Sequence, residues 1–171
     1  MNVYQIMKDN NNDSNVFAVN ITTSSNDVMQ LLEQGFEGIQ TINATSEQEA
    51  MELFFNSNAS SVMMSTSSFL TEDTKVIANY GIITSTIVSG TNIFRDMLAG
   101  VRDIVGGNSQ TYMNKLEDLK VQAMNELKKK AVRIDCNAII SVSIDTEEIS
   151  GQGKGMLMIT ATGTAVKVKE R

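Results

Sequence analysis

The strongest constraint on the fold is a long amphipathic helix, predicted from about Gln110 to Ile134. Its apolar residues recur every three or four positions and are Tyr112, Leu116, Leu119, Ala123, Leu127, Ala131 and Ile134. At about 1.5 Å per residue, such a helix is on the order of 37 Å long. It therefore needs a large surface to pack against.

Two long strands follow that helix and offer such a surface. Asn137 to Ile149 alternates Ile140, Val142 and Ile144 with Ser141, Ser143 and Asp145, and Met156 to Val168 has a similar pattern. The segment Ser150 to Gly155 between them predicts a hairpin loop. Neither face of the last strand is clearly polar, so we expect helices on one face of the sheet and another subunit on the other.

A second helix is predicted before the long one, from Thr91 to Gly107, where the double glycine Gly106-Gly107 ends it. Its apolar stripe is Phe94, Met97, Leu98, Val101, Ile104 and Val105. A β-branched strand is predicted from Val76 to Val88, with Ile83, Ser85 and Ile87 on one face. Val62 to Thr66 is a shorter candidate strand, and Thr71 to Thr74 a turn.

Residues 1–61 predict a separate small unit with the order β-α-β-α, which leaves residues 62–171 as the larger domain. The polar run Asp9 to Asn15 predicts a loop, and the elements after it are strands at Val16–Ile21 and Gly38–Asn43 and helices at Asp27–Gln34 and after the capping residue Ser46. Charge is uneven, since residues 1–79 carry 2 basic and 10 acidic residues and residues 80–171 carry 12 and 10. This asymmetry also favours two units.

Composition excludes several function classes. The chain has no histidine and one cysteine, Cys136, so Ser-His-Asp and Cys-His nucleophile systems are impossible within it. A net charge of −6 argues against a nucleic-acid partner. No apolar run approaches the roughly 18 residues of a membrane helix, and no secretory signal is recognised, so we expect a cytoplasmic protein without a membrane partner.

Several separated motifs resemble one known family. Gly90, the Gly106-Gly107 pair, Tyr112, Asn137-Ala138 and Gly163-Thr164-Ala165-Val166 occur in the order typical of the YbjQ-like family (UPF0145, "putative heavy-metal-binding"), over residues 62–169. The resemblance implies an α/β (α+β) subunit with a twisted antiparallel sheet and two packed helices, which assembles into a dodecin-like ring, typically a pentamer. Two departures stand out: Asp135-Cys136 replaces a usual Gly-Ala pair, and Ser141 replaces a glycine. The small side chains of Cys136 and Ser141 suggest close packing at both.

Candidate site residues fall into three groups, each with a structural alternative. Cys136 is a candidate soft-metal ligand, with Met156 or Met158 on the partner strand, or else a small core residue. Asp145 and Glu147 are candidate hard-cation ligands, or else a solvated strand end.

The third group consists of Arg95 and Arg102, seven residues apart on one helix face, and of Gly106 and Gly107 before the next helix. They are candidates for binding an anion or small ligand. The structural alternatives are ion pairs for the arginines and a tight interhelical turn for the glycines.

These patterns predict a non-enzymatic, ring-forming homo-oligomer that binds a metal ion or small ligand at subunit interfaces, with no cofactor established. The alternative is a structural or protein-interaction scaffold without a metal role, in which the acidic residues 1–61 recognise a protein partner.

Overall fold

The structure is a computed structural model that describes residues 1–71, 73–90, 109–151 and 154–170. It is a mixed α+β fold with two sheets. In chain order the described elements are β1 (Asn2–Asp9), β2 (Asn12–Asn20), α1 (Ser25–Glu33), β3 (Phe36–Ala44), α2 (Glu47–Ala59), β4 (Met63–Met64), β5 (Thr74–Ser89), α3 (Ser109–Arg133), β6 (Ala138–Gly151) and β7 (Lys154–Glu170).

The N-terminal unit is a three-stranded antiparallel sheet of order β2-β1-β3, with α2 packed on one face. Its core contains Tyr4, Ile6, Ala18, Ala44, Ala50 and Phe54. The predicted β-α-β-α elements are all present, and a further strand, β1, precedes them and lies at the centre of the sheet. The sequence interpretation missed β1.

The polar run from Asp9 to Asn15 is not a long loop, so that prediction is wrong for most of its length. Only Asn10 and Asn11 form a turn, which is stabilised because the Asn11 amide donates to the Asp9 carboxylate at 2.8 Å. β2 begins immediately after, at Asn12. Because an edge strand such as β2 can be polar, the polar composition of this run did not distinguish a hairpin from a loop.

Two predicted helix ends are confirmed. Ser46 caps α2, with its side chain accepting a hydrogen bond from the Glu49 amide at 3.1 Å. The Glu49 carboxylate in turn accepts from the Thr45 amide at 2.7 Å. Gly35 follows α1 with φ +93°, a left-handed conformation that glycine adopts without steric cost.

The larger unit is a four-stranded sheet of order β4-β6-β7-β5, in which β4 pairs parallel to β6 and the other pairs are antiparallel. α3 packs across one face, and the predicted helical stripe is confirmed in or against the core from Leu116 to Ile134. The buried members of this core include Leu119, Ala123, Leu127 and Ala131 of α3 and Leu157, Ile159, Ala161 and Ala165 of β7. The helix predicted from Thr91 to Gly107 lies outside the described residues.

A bulge in β6 overturns the predicted alternation of Ile140, Val142 and Ile144. The register with β7 shifts between Ile140 and Ser143, and Ser141 has φ +53°. As a result Val142 packs against the α3 core with Ile139, whereas Ile140 packs on a separate cluster that includes Val166. The amides of Ser141 and Val142 donate to carbonyl oxygens of Ser67 and Ser65 at 2.8 and 2.9 Å.

Gly163 of β7 lies opposite this bulge. A Cβ atom at Gly163 would lie 2.5 Å from Cγ2 of Ile139 and 3.2 Å from Cγ2 of Val142. The glycine in the Gly163-to-Val166 motif is therefore explained by close packing. Within the described residues, no helix has the length and apolar character needed to cross a membrane.

Candidate functional site

The end of α3 is the centre of the most structured polar cluster in the described residues. Asp135 adopts φ +57°, its amide donates to the Val132 carbonyl at 3.0 Å, and the Cys136 amide donates to the Ala131 carbonyl at 2.8 Å. These two bonds form a Schellman motif, in which the left-handed position is usually glycine. Asp135 therefore adopts a backbone conformation that its Cβ atom disfavours. The family resemblance implies a glycine at this position.

The side chain of Asp135 joins the two units. Lys8 of β1 lies 3.1 Å from one carboxylate oxygen, and Lys167 of β7 donates to the other at 2.6 Å. Lys167 also donates to the Asp135 carbonyl oxygen at 2.8 Å. Three distant chain segments thus meet at one carboxylate, which both lysines hold in place.

Apolar contacts accompany this ionic cluster. Val132 of α3 packs against the core of the N-terminal unit, and the guanidinium carbon of Arg133 lies 5.0 Å from the ring centroid of Phe55. The last turn of α3 therefore contacts α2 through both dispersion and cation-π attraction.

A cavity of about 320 Å³ lies beside the cluster, between the two units; we call it the inter-unit cleft. Its walls include Lys8, Val16 and Phe54 on one side and Val132, Cys136 and Lys167 on the other. Glu37, the register partner of Lys8, also lines it. Since Asp135 and Glu37 balance the two lysines, the cleft concentrates charge of neither sign and suits a small neutral or dipolar molecule.

Cys136 is buried, with 3% of its surface exposed. Burial raises the pKa of its thiol to about 11, against a smaller lowering by the Lys167 charge, and the Asp135 charge adds to the rise. The group is therefore a neutral thiol near pH 7. Close packing was predicted at Cys136 and at Ser141, and it is confirmed at Cys136. At Ser141 the prediction is wrong, because the side chain is exposed; what distinguishes this residue is its left-handed backbone.

Asn137 explains another motif of the sequence. Its side-chain nitrogen donates to the Val168 carbonyl at 2.9 Å, and its side-chain oxygen accepts from the Val168 amide at 2.8 Å. The side-chain amide of Asn137 thus replaces a backbone hydrogen-bonding partner just before β6 begins, and it fixes the C-terminal part of β7.

The structure separates the predicted metal-site residues. Cys136 precedes β6, at the end where Ala138 pairs with Val166, whereas Met158 pairs with Glu147 and Met156 with Ile149 near the hairpin loop. The expectation that Met156 or Met158 lies beside Cys136 is therefore wrong, because the hairpin places them many residues along the strand. Among the described residues, no group of three His, Cys, Asp or Glu side chains could hold a metal ion.

Asp145 and Glu147 are exposed on β6, opposite Thr160 and Met158. They share one face of the strand, as predicted from their spacing. They lie far from the inter-unit cleft. The remaining predicted candidates, Arg95, Arg102, Gly106 and Gly107, lie outside the described residues.

A second, more apolar cavity of about 370 Å³ opens beside β4 and the β6 bulge. Met64, Met124, Val142 and Ile144 line it. Sequence reasoning missed both cavities, and it also missed the roles of Lys8 and Lys167. No local pattern marks these two lysines, because each lies near the end of a strand and acts on a residue far away in the chain.

The fold and these sites define a class of protein: a long helix backing a four-stranded sheet, joined at the helix end to a small acidic unit. The chain belongs to the YbjQ family, described as "Putative heavy-metal-binding", whose model matches residues 62–169. Residues 1–61 lie outside that match.

Curated relatives carry the name UPF0145 protein. One from Nostoc punctiforme is 46% identical over 96 residues, which cover 55% of this chain and 89% of the relative. Another from Carboxydothermus hydrogenoformans is 42% identical over 95 residues, with 56% and 86% covered. A crystal structure of a DUF74-family protein of unknown function from Pediococcus pentosaceus is 17% identical, with a TM-score of 0.44, and covers 63% of this chain and 98% of its own.

Proposed function

We propose that the protein is a non-enzymatic, ring-forming oligomeric module, a pentamer or other multimer, that binds a metal ion or small ligand at its subunit interfaces in the cytoplasm. One observation carries the proposal: α3 covers only one face of the four-stranded sheet. On the opposite face, Ile82 is 77% exposed and Val88 is 55% exposed. Large apolar side chains left in the open on a long sheet are typical of a protein interface.

The uncovered face extends over two long strands. The residues that point to this face of β5 and β7 include Ile82, Thr84, Thr86, Val88, Thr160 and Thr162, with the Thr86 and Thr160 hydroxyls 3.1 Å apart. Among the described residues, this face is covered only at its opposite end, where Leu70 packs on Val166 and Val168. Asp145 and Glu147 of β6 lie on this same face, but its β5 and β7 part is uncharged at these positions and is covered by no described residue. A neighbouring subunit explains such a surface better than solvent.

For ligand binding at an interface, the carboxylates of Asp145 and Glu147 are better placed than Cys136. They lie exposed on β6, beyond the residues that pair with the short edge strand β4, where oxygen atoms of a neighbouring subunit can complete a hard-cation site. Cys136 lies in the inter-unit cleft, and metal binding there must displace a thiol proton held with a pKa of about 11. The proposal therefore favours oxygen ligands over the thiolate.

Light scattering coupled to size exclusion tests the assembly. We expect a discrete multimer that persists on tenfold dilution, with a mass that is a whole multiple of 18.7 kDa. A single species at the monomer mass at all concentrations would contradict the proposal. For the ligand, the Asp145→Asn/Glu147→Gln variant should bind less Mn²⁺ than the wild type, whereas Glu52→Gln, on exposed α2 surface, should not.

A scaffold role for the N-terminal unit is a second candidate, and α1 favours it. Met29 is 64% exposed and Leu32 is 50% exposed on this helix, within a unit that carries one lysine and eight carboxylates. An apolar patch inside an acidic surface suits a basic protein partner. A partner should bind the wild type and the Leu53→Ser control but not the Met29→Ser/Leu32→Ser variant; equal binding to all three would exclude this role for α1.

A further inference from the structure

The inter-unit cleft has hydrogen-bond acceptors on its walls that no described residue satisfies. The side-chain nitrogen of Asn58 donates to the Phe54 carbonyl oxygen at 2.8 Å, which leaves the side-chain oxygen of Asn58 as the unpaired end. The carboxylate of Glu37 forms no hydrogen bond or ion pair with any described residue. Because the cleft is open to water, both acceptors are hydrated in the free protein, and a ligand that carries donors can replace that water.

The cleft also keeps positive and negative charge apart. Lys8 and Lys167 share the single carboxylate of Asp135, so two positive charges against one negative leave this cluster with one positive charge. Lys167 uses two of its three N–H donors on the carboxylate and carbonyl oxygens of Asp135, which leaves one donor among the described contacts. The compensating negative charge is that of Glu37, on β3. A small molecule with one anionic and one cationic group matches both regions.

The rest of the cleft is apolar and is formed by both units. Phe54 of the N-terminal unit and Val132 at the end of α3 line it. Ile39 lines it as well and is 44% exposed. The register between β1 and β3 shifts after Ile6 and skips Ile39, which is therefore the extra residue of a bulge. Bulges re-aim side chains beside binding sites, and this one leaves an apolar side chain at the cleft for a ligand to cover.

We propose that the inter-unit cleft binds a free α-amino acid with an apolar side chain. The α-carboxylate accepts a hydrogen bond from Lys167, and the α-ammonium group donates to Glu37 and Asn58. The apolar side chain covers Ile39. The volume of about 320 Å³ is at the small end of ligand pockets, which are about 300–1,000 Å³, and it suits a molecule of this size. All walls belong to one chain, so the site is independent of the proposed ring and of a ligand at its interfaces.

Ligands with a single charge suit the cleft less well. An anion can use the remaining donor of Lys167 but lies near the unpaired carboxylate of Glu37. An amine can use Glu37 but lies near the net positive cluster around Asp135. Each arrangement leaves one charge of the cleft without a partner when the ligand displaces water.

Isothermal titration calorimetry of the full chain with L-leucine tests the site, and we expect saturable binding of one molecule per chain. Isoamylamine is leucine without the carboxylate, and isocaproate is leucine without the ammonium group. Each should bind about tenfold more weakly than L-leucine, because one charge-assisted hydrogen bond is lost. Absence of saturable L-leucine binding at millimolar concentration, or binding of either analogue as tight as that of L-leucine, would overturn the proposal.

A variant of the protein tests the assigned orientation. Glu37→Gln should weaken L-leucine binding about tenfold but should not weaken isocaproate, which has no ammonium group. The Glu37 side chain is exposed and makes no contact that the fold needs, so the variant should fold normally. Glu52→Gln, also exposed but outside the cleft, is the matched control and should keep the wild-type affinity for both ligands.

Wild-type affinity of Glu37→Gln for L-leucine, or an equal loss for both ligands, would contradict the site as assigned. Light scattering on the same samples reports the assembly separately. A monomer that binds L-leucine would refute the ring and leave this site intact, whereas a multimer without L-leucine binding would refute the site alone. The two failures are therefore distinguishable.

Discussion

The ammonium nitrogen of Lys8 lies 3.1 Å from the carboxylate of Asp135, and this contact links the first strand of the protein to the end of its longest helix. Lys167 holds the other oxygen of the same carboxylate at 2.6 Å. Because Asp135 also has a left-handed backbone, φ +57°, its position combines an electrostatic gain with a conformational cost.

Substitution of Asp135 should separate these two effects. Asp135→Ala and Asp135→Gly both remove the carboxylate, but only alanine keeps a Cβ in the left-handed conformation. We expect the glycine variant to be more stable than the alanine variant by about 1 kcal/mol in urea unfolding. Raising the salt concentration should destabilise the wild type more than either variant, since the lysine contacts are partly exposed. Equal stabilities of the two variants would show that the backbone is not strained.

The β6 bulge predicts a stabilising substitution. Ser141 has φ +53° and an exposed side chain, so Ser141→Gly relieves the left-handed cost and loses no packing. We expect a gain of about 0.5–1 kcal/mol in the free energy of unfolding. Ser143→Gly, two residues along in regular strand, should destabilise by about as much. The account of the bulge fails if both substitutions shift stability in the same direction.

Gly163 should tolerate no side chain. Gly163→Ala places a methyl group 2.5 Å from Cγ2 of Ile139, and relieving that overlap should cost about 1–3 kcal/mol. Gly90→Ala is the matched control, because a Cβ there meets nothing within 4 Å. A Gly163→Ala variant as stable as the Gly90→Ala variant in thermal or urea unfolding would be incompatible with this packing.

The Cys136 thiol should be visible in the pH dependence of stability. Its folded pKa of about 11 lies above the ordinary thiol value of 9.0, so the folded state keeps the proton to higher pH than the unfolded state. Stability contributed by the neutral thiol is therefore complete below about pH 9 and is lost as the pH rises toward 11. Cys136→Ala should show a shallower loss over that range in urea unfolding.

Thiol labelling gives an independent check on Cys136. With 3% of its surface exposed, the residue should react with a bulky disulfide reagent at pH 8 far more slowly in the native protein than in urea. Comparable labelling rates in the two states would place the thiol at the surface and remove the basis for the pH prediction.

Much of the core could be read from periodicity. The stripe from Leu116 to Ala131 faces the sheet as predicted, because helix packing follows a repeat of 3.6 residues over its whole length. Ser46 and Gly35 mark helix ends because their roles depend on neighbours within a few residues. Interactions between residues that are close in the chain can therefore be recognised from the sequence alone.

The polar site could not be predicted, since it depends on contacts between distant segments. Nothing near Lys8 or Lys167 indicates that both meet Asp135. The supposed proximity of Met158 to Cys136 failed because the hairpin register pairs Met158 with Glu147. The prediction that Ile140 shares a face with Val142 and Ile144 was wrong, because one left-handed residue, Ser141, shifts the alternation by one position.

Native mass spectrometry of the full chain, purified without added metal, tests the central claim most directly. It reports the number of subunits and any retained ligand in one spectrum. The account predicts a single closed assembly at a multiple of 18.7 kDa, fivefold for a pentamer. A spectrum that contains only the 18.7 kDa monomer, under conditions where the chain is folded, would contradict it.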